Sequence, residues 1–102
     1  METAQLAKVM KALSHPKRLE LYFQIAEKHG ADFEAGCECE CFITDMIHLL
    51  KLGAPTISHH IKELENAGLI TTERRGKYLY AKIKEETLRE VNAIFVRQLA
   101  RQ

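Results

Sequence analysis

Apolar positions recur at helical spacing at both ends of this chain and in its middle. Leu6, Val9, Met10 and Leu13 fall on one side of a helix over residues 3–13. Ser14-His15-Pro16 interrupts it, with Ser14 or His15 as a cap and Pro16 at a first helical position. Leu19, Tyr22, Phe23 and Ala26 mark the apolar face of a second helix from 16 to about 28, and Gly30 predicts its stop. Residues 30–41 have no period and read as a loop. Thr44 is placed to cap a third helix over 45–51, whose buried side is Met46, Ile47, Leu49 and Leu50. Gly53 ends that helix and Pro55 opens the next, in which Ile57, Ile61 and Leu64 share one face and Gly68 is the terminator. Residues 69–72 and 78–83 are short β-like runs joined by 73–77, with Gly76 supplying the positive φ of a hairpin tip. A last helix over 85–100 carries Leu88, Val91, Ile94, Phe95 and Leu99.

The predicted order is helix, helix, loop, helix, tight turn, helix, hairpin, helix. A short turn with glycine between two helices is the helix-turn-helix signature, and a hairpin directly after it makes a wing. The expected fold is mainly α with a small β-hairpin wing, a winged helix-turn-helix occupying residues 1–102 as one domain. The terminal helices hold more apolar residues than one small core needs. A two-fold dimer packed through residues 3–13 and 85–100 would bury the surplus.

Composition changes this picture little. Hydrophobic residues at 46% and charged residues at 28% are ordinary for a globular domain. The most apolar stretch, 42–50, is broken by Asp45 and His48, so no membrane span is expected. The N-terminus has no basic segment followed by an apolar one, which makes a cytoplasmic location the expectation. Charge distribution is more telling than the net +1. Residues 30–50 carry Asp32, Glu34, Glu38, Glu40 and Asp45 and no Lys or Arg. Residues 55–84 carry six cations, Lys62, Arg74, Arg75, Lys77, Lys82 and Lys84, against three glutamates. Phosphate is drawn to the second region and cations to the first.

Double-stranded DNA is therefore the expected partner. Thr56, Ser58, His59 and Lys62 lie within the first turns of the fourth helix, whose N-terminal part meets bases in this architecture. Hydroxyls donate or accept at either base edge, and amine or imidazole groups reach acceptors or phosphates. Arg74, Arg75 and Lys77 at the hairpin tip suit phosphates or an adjacent minor groove. His60 has two readings. It is a further DNA contact, or a hydrogen-bonded packing residue beside Ile57, Ile61 and Leu64.

Every cysteine lies in Cys37-Glu-Cys-Glu-Cys41. Three cysteines in five residues close no useful disulfide framework, so a reducing compartment and a metal or redox role fit better. In an extended chain the thiols of Cys37, Cys39 and Cys41 share a face at roughly 6.6 Å intervals. One ion then requires the loop to curl or two subunits to contribute. Soft thiolates select thiophilic ions: trigonal As(III) or Sb(III), or part of a Cd(II), Zn(II), Pb(II) or Hg(II) site. Glu38 and Glu40 are candidate harder ligands or simply raise the negative potential, and His29 is a candidate fourth ligand. The rival reading is a redox or reactive-sulfur switch, although neighbouring carboxylates disfavour the thiolate it needs. Three cysteines without a role are the remaining alternative. An enzyme fits poorly, for there is no Gly-rich phosphate loop and no paired catalytic carboxylates.

The run Ala12-Leu-Ser-His-Pro-Lys-Arg-Leu19, then Thr56-Ile-Ser-His-His-Ile-Lys-Glu-Leu64, Ala67-Gly-Leu-Ile70 and Arg75-Gly-Lys-Tyr78, resembles the ArsR-SmtB family of winged-helix repressors over about residues 5–98. The resemblance implies a homodimer that binds a palindromic operator and releases it when a metal ion or redox event is sensed. It also implies a Cys-x-Cys pair at the start of the third helix in many arsenic, cadmium and lead sensors. The matching positions here are near Phe42 and Thr44, and the cysteines lie just upstream. The family's alternative zinc site on the last helix needs histidine, and residues 85–102 have none. The expectation is a DNA-binding repressor released when a thiophilic metal or metalloid, arsenite first, binds the cysteine loop. A redox-responsive repressor, and a metal-buffering or protein-interaction module that binds no DNA, are the alternatives.

Overall fold

The computed structural model describes the backbone of residues 1–35 and 41–101 and the side chains of residues 1–27 and 43–101. Among the described residues five helices and three strands follow one another: α1 (Thr3–Ala12), α2 (Pro16–Ala35), β1 (Cys41–Phe42), α3 (Ile43–Leu50), α4 (Ala54–Asn66), β2 (Ile70–Arg75), β3 (Tyr78–Ile83) and α5 (Glu85–Ala100). The predicted winged helix-turn-helix is present in the predicted order.

Three helix boundaries differ from expectation. α2 does not stop at Gly30 but continues to Ala35. A glycine inside a helix costs only about 1 kcal/mol relative to alanine, and helix formers stand on both sides of this one. α3 starts at Ile43, two residues early, and ends at Leu50. The left-handed turn that closes it is made by Lys51, at φ 55°, rather than by Gly53. Gly53 instead serves as the N-cap of α4, with extended φ and ψ, and its carbonyl accepts the first helical bond from the Ile57 N–H at 3.1 Å. The turn between α3 and α4 is thus Lys51-Leu52-Gly53.

α4 ends in a Schellman arrangement. The Gly68 N–H bonds the Glu65 carbonyl at 3.0 Å and the Leu69 N–H bonds the Leu64 carbonyl at 3.0 Å, with Gly68 at φ 77°. The Thr87 hydroxyl donates to the Gly68 carbonyl at 2.5 Å, and the Lys84 N–H bonds the Leu69 carbonyl at 3.0 Å. The end of α4 is thereby tied to the start of α5.

β2 reaches Arg75, further than the run over 69–72 had suggested. Its register with β3 runs from Ile70 opposite Ile83 to Arg75 opposite Tyr78. The loop is therefore only Gly76-Lys77, with positive φ at Gly76, as a tight two-residue hairpin requires. β1 was not anticipated. It adds to the free edge of β3, Cys41 opposite Ala81 and Phe42 opposite Tyr80, giving the sheet order β1-β3-β2. Two residues are too short a segment to show a period of two.

The core is one cluster to which all five helices and the strands β2 and β3 contribute. Val9, Leu21, Ile25, Ile57, Leu64, Leu69 and Ile70 are fully buried. Met10 on α1 and Leu88, Phe95, Val96 and Leu99 on α5 stay exposed. Among the described residues no helix is long and apolar enough to cross a membrane.

Candidate nucleic-acid interface

Ile57, His60, Ile61 and Leu64 turn α4 inward. At 3.6 residues per turn this leaves Thr56, Ser58, His59 and Lys62 exposed. The predicted outward set therefore shares the solvent-facing side of one helix. Its polar groups are backed by the buried apolar stripe of Ile57, Ile61 and Leu64.

His60 does not belong to that set. It is only 3% exposed. Its Nδ1 accepts a hydrogen bond from Arg18 Nε at 3.2 Å, and its ring lies 4.8 Å from that of His15 and 6.1 Å from that of His59. Of the two readings of this residue, the structure supports the hydrogen-bonded packing one. Burial lowers its pKa, and the charges of Arg18, His15 and His59 lower it further. Among the described residues its Nε2 has no hydrogen-bond partner.

Arg74, Arg75 and Lys77 are exposed at the tip of the hairpin. Two of them are positioned by aromatic rings: the Arg75 guanidinium sits 5.2 Å from the centre of the Tyr80 ring and Lys77 Nζ 5.4 Å from that of Tyr78. Arg75 also pairs with Glu73 at 3.2 Å. The wing is fastened to α4 by a hydrogen bond from Thr72 Oγ1 to Glu65 Oε2, 2.6 Å long.

A further basic feature escaped the sequence reading. Lys8, Lys11, Ala12, Ser14, His15 and Arg18 form one wall of a concavity of about 530 Å³, and His59, Glu63, Asn66 and Ala67 of the α4 region form the other. The signal was present in His15-Pro-Lys-Arg18, which reads locally as a helix start. Only the crossing of α1, α2 and α4 turns it into a surface.

Cys37 and Cys39 lie outside the described residues, as do Glu38, Glu40 and the side chains of His29 and Cys41. Among the described residues no three His, Cys, Asp or Glu side chains group to hold a metal ion.

Comparison with known proteins fits this geometry. The family model for bacterial regulatory proteins of the arsR family matches residues 37–72, which run from the cysteines through α3 and α4 into β2. The arsenical resistance operon repressor of Staphylococcus xylosus is 31% identical over 93 residues, covering 90% of this chain and 78% of that protein. Among solved structures, the ArsR family transcriptional regulator RHA00566 superposes with a TM-score of 0.78 at 20% identity, over 98% of this chain and 92% of its own. The homodimeric winged helix-turn-helix DNA-binding domain Mb0332 from Mycobacterium bovis gives 0.68 at 23% identity, over 93% and 79%. The chain belongs to the arsR family of bacterial regulatory proteins, as a winged helix-turn-helix transcription regulator and not an enzyme.

Proposed function

We propose that this protein is a homodimeric repressor that holds operator DNA with α4 and its wing and lets go when a thiophilic ion binds Cys37, Cys39 and Cys41. The observation that carries the DNA part is the exposed row Thr56, Ser58, His59 and Lys62 beside the cationic hairpin tip of Arg74, Arg75 and Lys77. A two-fold pair of such helices would address a palindromic site. Support for the dimer comes from the apolar side chains left on the surface of α5, Phe95 at 50% and Leu99 at 69% exposure. The homodimeric Mycobacterium bovis domain of similar fold supports it too.

The inducer reading rests on donor chemistry. Three thiols within five residues suit a soft ion, and the name of the Staphylococcus xylosus relative makes arsenite the first to try. A route for the signal follows from the fold. Cys41 is the first residue of β1, which pairs with β3 of the wing and runs directly into α3 of the helix-turn-helix. Drawing the thiols together around an ion would pull on both DNA-reading elements at once. Coupling of this kind is typically ~1–3 kcal/mol.

The test is anaerobic fluorescence anisotropy of the reduced protein on DNA from its own promoter, titrated with As(III), Sb(III), Cd(II), Zn(II), Pb(II) and Hg(II). Release by one ion near one equivalent per site, lost in the Cys37→Ser/Cys39→Ser/Cys41→Ser variant, is the expected result. Tight binding that no ion disturbs would transfer the cysteines to redox sensing. No binding to any DNA would favour a metal-buffering or interaction module.

A further inference from the structure

We propose that Lys8, Lys11 and Arg18, with His15, form a second phosphate-gripping rail for duplex DNA, on the side of α4 away from the wing. The proposal rests on the DNA-binding reading above and adds a contact surface to it.

The two flanks of α4 are not alike. Glu65 faces the wing, since it accepts the bond from Thr72 of β2. Glu63 stands roughly 160° around the helix from Glu65. With His59 and Asn66 it borders the 530 Å³ concavity whose opposite wall is α1 and the start of α2. His59 belongs both to the exposed face of α4 and to this concavity, so the two surfaces are continuous.

The charge of the concavity is one-sided. Lys8, Lys11 and Arg18 bring three cationic side chains, and Glu63 is the one carboxylate among the described lining residues. Lys8 and Lys11 are exposed, one helical turn apart, and neither forms an ion pair with any described residue. Arg18 is held rather than free. Its Nε donates to His60 Nδ1 at 3.2 Å and its Nη1 to the Ala12 carbonyl at 3.3 Å. A guanidinium has five N–H donors in a fixed fork, so three remain to address an anion.

The ligand chemistry follows from the neighbourhood. A helix lying in the major groove, about 12 Å wide, is flanked by a phosphate strand on each side. The wing provides cations for one strand only. The rail of α1 and α2 supplies the other, and contacts of this type fix register and orientation without reading sequence.

The decisive experiment compares wild type with Lys8→Ala/Lys11→Ala on promoter DNA and on an unrelated duplex of equal length, across a range of salt concentrations. Circular dichroism and a melting curve verify that the variant is folded. The expected result is weaker binding by the same factor on both duplexes. The slope of log affinity against log salt should become shallower by about 1.8 per protomer, from about 0.9 for each lost phosphate contact. Lys8→Arg/Lys11→Arg should restore that slope. A folded alanine variant with wild-type affinity and slope overturns the rail while leaving the DNA-binding reading intact. So does a loss confined to the promoter duplex with an unchanged slope. A wild type that binds neither duplex overturns both.

Discussion

Arg18 Nε donates a hydrogen bond to His60 Nδ1 across 3.2 Å, joining the start of α2 to the middle of α4. The bond requires a lone pair on Nδ1 and therefore a neutral imidazole with its hydrogen on Nε2. Protonating His60 would remove the acceptor and set two cations against each other inside the fold.

That pair makes stability depend on pH. Burial, then the charges of Arg18, His15 and His59, hold the folded His60 below its ordinary value of 6.5. The unfolded chain consequently takes up the proton first as pH falls. The stabilisation is complete above about pH 6.5 and is lost as pH drops through the lowered folded value. Urea midpoints at pH 8 and pH 5.5 should show a fall in wild type that is smaller in His60→Asn, whose amide oxygen still accepts from Arg18. Equal falls in the two proteins would show that His60 is not the titrating group.

Gly68 closes α4 at φ 77°, and a Cβ there would meet nothing nearer than the Thr87 hydroxyl at 4.0 Å. The cost of Gly68→Ala is therefore backbone strain rather than crowding, about 1–2 kcal/mol. Gly53 has an ordinary φ of −67°, and its added Cβ would make normal contact with Pro55 at 3.7 Å. Chemical denaturation should find Gly68→Ala clearly destabilised and Gly53→Ala within about 0.5 kcal/mol of wild type.

Neighbouring residues on α4 should separate folding from DNA reading. Ile57 is wholly buried, whereas Ser58 is exposed. Ile57→Ala should cost about 2–5 kcal/mol of stability. Ser58→Ala should melt like wild type yet lose part of its preference for promoter over unrelated DNA. An unchanged preference in Ser58→Ala, measured by competition, would remove Ser58 from the base-reading set.

Phe95 and Leu99 present large apolar surfaces on α5 to water. Phe95→Glu/Leu99→Glu should keep its helical circular dichroism but sediment as a monomer where wild type sediments as a dimer. Its affinity for a two-fold DNA site should fall by more than tenfold, since one reading helix is lost. A dimeric double variant would place the subunit contact elsewhere.

Much of the fold was legible because its signals are local. Pro16 and Pro55 start helices through their fixed φ, while Gly68 ends one and Gly76 turns a hairpin through the positive φ that glycine tolerates. The apolar period of α4 separated Thr56, Ser58, His59 and Lys62 from Ile57, Ile61 and Leu64, which amounts to most of the candidate interface. The local signal failed at Gly30, where a modest penalty is outweighed by the helix around it. It failed also at β1, whose two residues are strand only because β3 lies alongside.

The order of the helices and the hairpin, the polar face of α4 and the clustering of the cysteines were thus determined by the sequence alone, since each depends on neighbours within a few residues. Only the tertiary structure shows His60 buried against Arg18 and His15, because those partners lie more than forty residues away. It alone assembled Lys8, Lys11, Arg18 and His59 around one concavity, because that surface exists only where three helices cross. Charges far apart in sequence come to line one surface when packing of the apolar faces fixes the distance between them.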